Sequence, residues 1–186
     1  MKKAFFNSRV PLFGNTKVMC TAALLTALAV AIAAVCKTFT IGNSIRITFE
    51  NLPIILSGYL FGPWVGLFTG LCSDLINTAV SSYGIAGINP IITLGAGSVG
   101  FAAGFCARLL SGRGTALRLS VSVASAHILG NMIIKSLGLY IYYSTPLPIL
   151  AIRIPLYAVI GIIEFAAIRA LLASKGVVRA IGAIRA

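Results

Sequence analysis

The chain has 186 residues, of which 59% are hydrophobic and 10% are charged, and its three acidic residues leave a formal net charge of +12. So few charged side chains cannot solvate the surface of a soluble domain of this size, so the composition predicts a membrane protein. The basic residues lie at the ends of apolar runs, where the positive-inside rule expects them, and this argues against nucleic acid as a partner.

The first apolar run extends from Val18 to Val35 and follows four basic residues, Lys2, Lys3, Arg9 and Lys17. The segment Ala31-Ile32-Ala33 resembles a signal-peptide cleavage site, but the run is longer than the core of about 7 to 15 residues in such a signal. We therefore expect a retained helix, which rises about 27 Å and nearly matches the hydrocarbon core of a bilayer.

The second and third helices are predicted to form a hairpin. After a polar connection from Lys37 to Asn51, a helix is expected from about Ile47 to Phe61, and Gly62-Pro63 then turns the chain into a third helix that ends near Ser81. The third helix carries Asp74 about 17 Å from its start. A carboxylate at that depth is costly, so Asp74 is expected either to pair with Lys135 or Arg153 or to bind a polar ligand.

Three more helices complete the predicted fold. The fourth begins with the capping pair Asn89-Pro90 and runs to about Leu110, the fifth covers about Ala116 to Tyr143, and the sixth about Pro148 to Ala173. Lysine and arginine concentrate at both ends of the chain and between helices four and five, which places both termini in the cytoplasm. The sequence thus predicts an all-α membrane protein, a single compact bundle of six transmembrane helices over residues 1–186, with short basic tails at about 1–16 and 175–186.

Polar residues are expected to converge at the outer side of this bundle. On helix five, His127, Asn131 and Lys135 recur every fourth residue and should face the bundle interior. The residues expected near this stripe are Asp74, Asn89, Arg153, Tyr83, Tyr140 and Tyr143, with Arg46 in the first loop, which is placed to act as a lid. Such a mixture of donors, a carboxylate and aromatic rings suits a polar, partly aromatic organic solute. In the alternative interpretation, His127 is a structural histidine. Glu164, in the cytoplasmic half of helix six, is expected to pair with an arginine.

Small residues recur every fourth position on three helices. The glycine-containing rows, Gly62, Gly66 and Gly70 on helix three and Ala96, Gly100 and Gly104 on helix four, favour close packing inside the bundle. The row on helix one, Ala23, Ala27 and Ala31, fits either internal packing or a docking surface for another membrane subunit.

No catalytic or metal-binding motif is found. The single histidine has no matching nucleophile, the four cysteines lack paired metal spacing, and no phosphate-binding GxxxxGK[ST] loop occurs. We therefore expect neither an enzyme nor a bound metal or cofactor, and any uphill transport must draw its energy from partner proteins.

The chain resembles the substrate-binding membrane subunits, or S components, of energy-coupling factor (ECF) vitamin transporters, and most closely the folate family. The resemblance is carried by RITF at 46–49, LPIILSGYLFGP at 52–63, the following glycine row and Asp74, and continues through HILGNMIIKSLGLYIYY at 127–143 and RIPLYAVIGIIE at 153–164. It implies a multi-pass protein of a bacterial plasma membrane that works with a coupling transmembrane subunit and two cytoplasmic ATPases. The family's docking motif maps to Ala23, Ala27 and Ala31.

The resemblance also implies high-affinity vitamin binding at the extracytoplasmic side. For folate or a related pterin, the expected binding residues are Arg46, Asp74, Tyr83, Asn89, His127, Asn131, Lys135, Tyr143 and Arg153. Asp74 would take the amino-pyrimidinone edge, and the basic residues would neutralise the glutamate carboxylates. The segment INPIITLGAG differs from the folate pattern and keeps another vitamin, such as pantothenate, open. A structural or assembly membrane protein without a ligand, and a channel, are the alternatives from other classes.

Overall fold

The computed structural model describes residues 15–36, 40–41, 45–46, 49–80 and 87–185. Within them the chain forms seven helices and one two-stranded hairpin. In chain order these are α1 (Thr16–Cys36), β1 (Thr40–Ile41), β2 (Ile45–Arg46), α2 (Asn51–Phe61), α3 (Pro63–Ala79), α4 (Pro90–Leu109), α5 (Thr115–Tyr143), α6 (Leu147–Ala173) and α7 (Lys175–Arg185). Most predicted helix ends are confirmed to within two residues, because glycine, proline and capping residues mark them.

Two boundaries differ from the prediction. Helix α2 begins at Asn51 rather than near Ile47, since Phe49 and Glu50 precede it outside the helix, and its 11 residues rise only about 17 Å. The basic C-terminal tail forms α7, an amphipathic helix that was not predicted. Val177 and Ile181 pack against the core, whereas Lys175 and Arg179 are exposed. The tail is therefore tied to the bundle by its apolar face.

In the described part of the chain, four helices are long and apolar enough to cross a membrane, namely α1, α4, α5 and α6. The hairpin helices are shorter, with 11 residues in α2 and 17 in α3. A helical fold with four candidate membrane spans among the described residues is thus confirmed, while the count of six spans and the cytoplasmic placement of both termini remain predictions.

Helix α4 lies at the centre of the bundle, packed against α2, α3 and α5. Its contact with α3 is so close that a Cβ atom at Gly66 would clash with the backbone carbonyl of Gly100, and one at Gly100 would clash with that of Gly66. A Cβ at Gly70 would likewise meet the carbonyl of Ala96. The prediction that the two glycine-containing rows pack inside the bundle is confirmed.

Helix α5 is continuous, but its middle third, His127–Lys135, is π-helical. A π-helical turn is wider than an α-helical one and often occurs at functional sites. Its first residue His127, its middle residue Asn131 and its last residue Lys135 are all buried. The predicted polar stripe therefore faces the bundle interior.

Candidate functional site

The Asp74 carboxylate lies near the end of α3 and faces α4. Its Oδ2 atom accepts a hydrogen bond of 2.7 Å from the hydroxyl of Thr93, which is buried in the first turns of α4. No salt bridge joins Asp74 to a cation among the residues that the structure describes. Of the two alternatives left open for Asp74, a direct pair with Lys135 or Arg153 is therefore not formed, and the carboxylate is bonded to Thr93 instead.

The ammonium group of Lys135 is paired with Glu50 instead. Lys135 Nζ donates to Glu50 Oε1 at 3.5 Å, and this contact joins α5 to the residue that precedes α2. Lys135 is only 7% exposed, and a Cβ atom at Gly95 of α4 would lie 2.6 Å from its Cγ. Glycine at this position of α4 thus leaves room for the aliphatic stem of the lysine.

Glu50 and Asp74 line the same small cavity. The cavity has a volume of about 10 Å³ and is also lined by Ala29, Ala33, Ile54, Ser73 and Ala96, from helices α1 to α4. A space of this size holds about one water molecule. Glu50, Asp74, Thr93 and Lys135 are called here the charged cluster, and its two carboxylates border this water-sized space.

A second buried group connects α5 to α6. His127 Nε2 lies 2.8 Å from Glu164 Oε2, and Asn131 Nδ2 donates to His127 Nδ1 at 3.0 Å. Because Nδ1 accepts from Asn131, Nε2 carries the proton and donates to the Glu164 carboxylate. Both ring nitrogens are occupied, which fits the structural interpretation of His127. The expected partner of Glu164, an arginine, is wrong: the partner is His127.

Arg153 lies on the same helix as Glu164 and is half-buried. Its Nη2 donates to the Tyr157 hydroxyl at 3.0 Å, and its guanidinium carbon lies 5.3 Å from the centre of the Tyr157 ring. That ring in turn lies 5.7 Å from the His127 ring. The Nη1 atom of Arg153 is buried and has no hydrogen-bond partner among the described residues, so one donor of this guanidinium is left for another acceptor.

The remaining predicted site residues are more scattered. The Asn89 side-chain oxygen accepts from the backbone nitrogens of Ile91 and Ile92 at 3.1 and 3.4 Å, which confirms its capping of α4. Tyr143, at the end of α5, is 58% exposed. Arg46 lies in β2, where its backbone pairs with Thr40. Tyr83 and much of the predicted lid lie outside the described residues.

A larger groove runs between α5 and α6 and has a volume of about 360 Å³. Its wall is almost entirely apolar, with His127, Tyr157 and Ser120 as its polar-capable residues. Because both helices are candidate membrane spans, an apolar groove here does not suit a ligand that carries carboxylates.

On α1, the three alanines of the predicted docking row are all exposed. The buried positions of this helix are Val18, Thr26, Ala29, Ala33 and Cys36, on its other face. The sequence left two interpretations of this row open, internal packing and a docking surface. Internal packing is not observed for Ala23, Ala27 and Ala31 in the isolated chain.

Comparison with known protein families gives a match over most of the chain. Residues 17–179 match the family described as "ECF transporter, substrate-specific component". The chain belongs to this family. It is thus an S component, the substrate-binding subunit of an ECF transporter, and S components associate with a transmembrane coupling subunit and with ATPases. No curated protein matches the chain.

The sequence did not reveal every residue of the charged cluster. Glu50 was recognised only as part of a polar segment, and Thr93 was not singled out, since a threonine in an apolar helix usually bonds to its own backbone. The scarcity of acids was the available signal for Glu50. All three acidic residues of the chain, Glu50, Asp74 and Glu164, make polar side-chain contacts between helices or helix ends.

Proposed function

We propose that this S component binds folate or a related pterin at the extracytoplasmic side and delivers it into the cell with a coupling subunit and two ATPases. The observation that carries the proposal is the charged cluster, in which a carboxylate and an ammonium group from different helices lie at one end of an apolar bundle. Ionisable residues within a membrane protein are costly, so groups of this kind commonly mark a substrate site.

Asp74 is proposed to bind the amino-pyrimidinone edge of the pterin. That edge presents neighbouring N–H donors, and a carboxylate can accept two such hydrogen bonds in parallel. The 2.7 Å bond from Thr93 fixes one carboxylate oxygen, Oδ2, and so sets the plane in which Asp74 meets its ligand. Thr93 is therefore proposed as a positioning residue for Asp74.

The glutamate tail of folate requires positive charge. Lys135 and Arg153 are proposed to supply it, together with Arg46, because Lys135 lies in the charged cluster and Arg153 keeps one buried donor without a described partner. The aromatic residues Tyr143 and Tyr83 remain proposed stacking partners for the pterin ring. Asn89 and Asn131 each keep one buried polar atom without a described partner, which supports a role beside the ligand.

His127 is proposed to hold α5 against α6 rather than to touch the ligand. It begins the π-helical segment that Lys135 ends, and its ring is held by Glu164 and Asn131. A ring with both nitrogens occupied has no free donor or acceptor for a vitamin.

Delivery into the cell is proposed to depend on the alanine row of α1. Small side chains at every fourth position let a helix of another subunit approach closely. Ala23, Ala27 and Ala31 are exposed, which supports their use as the contact with the coupling subunit.

Binding can be tested directly on the purified protein. Isothermal titration with folate and with pantothenate, together with mass spectrometry of any small molecule that copurifies, should give saturable folate binding. Binding of pantothenate without folate would reject the pterin while leaving the S-component function intact.

A further inference from the structure

We infer that Glu50 is a built-in counterion, which neutralises Lys135 while the site is empty and is displaced by the carboxylate of an anionic vitamin. This inference rests on the proposed function, because it assumes that Lys135 meets the ligand. It adds a residue that determines the charge of the ligand the site accepts.

The position of Glu50 is unusual for its role in the chain. It occupies the capping position before α2, yet its side chain makes no capping hydrogen bond to that helix. A short polar side chain at this position, such as that of aspartate, would ordinarily accept from the free N–H groups of the first turn, whereas glutamate has no strong preference for it. Instead, its carboxylate reaches Lys135, which lies 85 residues further along the chain. The side chain of Glu50 thus contacts a distant cation rather than the start of α2.

The two partners of this ion pair are not equally constrained. The Lys135 side chain is 9% exposed and that of Glu50 is 20% exposed. The stem of Lys135 lies against Gly95 of α4, whereas Glu50 lies outside any helix and borders the cavity of about 10 Å³. Glu50 is therefore the partner that can move, and Lys135 the one that stays.

The contact itself is long for an ion pair. Its 3.5 Å separation exceeds the roughly 2.7 to 2.9 Å of a well-formed hydrogen bond between ammonium and carboxylate. A buried ammonium group nevertheless needs a counterion, because an uncompensated charge is strongly destabilising inside a protein. Glu50 meets this need weakly, so a ligand carboxylate with better geometry can replace it.

The size of the cavity supports the exchange. About 10 Å³ is far below the roughly 300 to 1,000 Å³ of typical small-molecule sites. Movement of Glu50 away from Lys135 opens this cavity and exposes the ammonium group in the same step. A ligand without a negative charge cannot compensate Lys135 and so does not favour the opened arrangement.

The test compares wild type with Glu50→Gln, which keeps the shape of the side chain and removes its charge. Folate and the uncharged 6-hydroxymethylpterin are titrated into both purified proteins. We expect folate to bind about tenfold more tightly to Glu50→Gln, since it no longer competes with an internal carboxylate, and the affinity for the uncharged pterin to change little. Weaker folate binding by Glu50→Gln would overturn the inference, because it would make Glu50 a ligand contact or a purely structural partner.

A second measurement needs no vitamin. Glu50→Gln should have a lower melting temperature than wild type, and added acetate should restore part of the loss by binding to the uncompensated Lys135. The double variant Glu50→Gln/Lys135→Met is the control and should not respond to acetate. If acetate does not act on Glu50→Gln, the inference fails. If acetate stabilises Glu50→Gln while wild type binds neither pterin, the proposal of a pterin ligand is rejected and the inference on Glu50 is kept. Pantothenate and its uncharged alcohol then replace the two pterins in the titration.

Discussion

The hydroxyl of Thr93 donates a 2.7 Å hydrogen bond to Asp74, and this contact ties the first turns of α4 to the end of α3. It crosses the closest helix pair of the bundle, where glycine rows bring the two backbones together. The carboxylate is thus held by one rigid helix while it is carried on another. Rigid placement of this kind limits the loss of conformational entropy when a ligand binds.

Replacing Asp74 with Asn should weaken folate binding by at least about tenfold, because the amide has one acceptor oxygen instead of two and carries no negative charge. The fold should survive, since the amide oxygen can still accept from Thr93. Titration calorimetry and thermal unfolding measure the two effects separately. A loss of stability with unchanged ligand binding would instead favour an assembly protein whose polar groups merely pair internally.

Replacing Thr93 with Val should lower folate affinity by about five- to tenfold without removing any proposed ligand contact, because Asp74 loses the bond that orients it. Thr93→Ser should restore most of the affinity. The matched control is Thr69→Val on α3, which removes a buried hydroxyl that has no hydrogen-bond partner among the described residues. An equal loss of affinity in Thr69→Val would show that the effect of Thr93 is one of packing.

The pairing of His127 with Glu164 should matter for stability rather than for binding. His127→Phe removes the N–H that donates to the buried carboxylate of Glu164, which should cost about 2 to 3 kcal/mol in the free energy of unfolding. The double variant His127→Phe/Glu164→Leu should recover much of this loss, because replacing both partners of a buried pair by apolar groups is often close to neutral.

Thermal unfolding of His127→Phe, Glu164→Leu and the double variant completes this cycle. Folate titration of the double variant then decides the role of His127. Binding within about threefold of wild type supports a structural role for the pair, whereas complete loss of binding in a stable double variant would make His127 a ligand contact.

The helices could be predicted from the sequence because their ends carry strong local signals. Gly62 adopts a φ of 108°, a conformation that side chains rarely allow, and Pro63 follows it at the start of α3. Asn89 caps α4 through its own side chain. Signals of this kind act over a few residues and do not depend on the rest of the fold.

The contact partners of the charged residues could not be predicted from local sequence signals. His127 and Glu164 lie 37 residues apart, and their contact depends on the rotation of α6 relative to α5. The π-helical segment affects the residues that follow His127, because each wide turn shifts Asn131 and Lys135 around the helix axis. No residue pattern in His127–Lys135 predicts a π-helix. Glu164 was therefore assigned to an arginine from its charge and its position in the cytoplasmic half.

The contact between α3 and α4 predicts a sharp difference between two glycine substitutions. Gly100→Ala places a Cβ atom against the backbone of Gly66, which cannot move aside like a side chain, so we expect a loss of at least about 2 kcal/mol in the free energy of unfolding. Gly112→Ala, in the exposed turn after α4, is the control, because nothing lies within 4 Å of the added atom. Equal melting temperatures for the two variants would contradict the packing described for this contact.

The alanine row of α1 should be needed for transport but not for binding. Ala27→Trp adds a large ring to an exposed position, so the isolated protein should keep its melting temperature and its folate affinity. In cells that also produce the coupling subunit and both ATPases, uptake of labelled folate should fall by at least about tenfold, because the ring prevents the close approach that small side chains allow. Ala166→Trp, at an exposed alanine of α6, is the matched control for the effect of a bulky group on a lipid-facing helix. Uptake that falls equally in both variants, or that persists in Ala27→Trp, would place the contact with the coupling subunit elsewhere on the bundle.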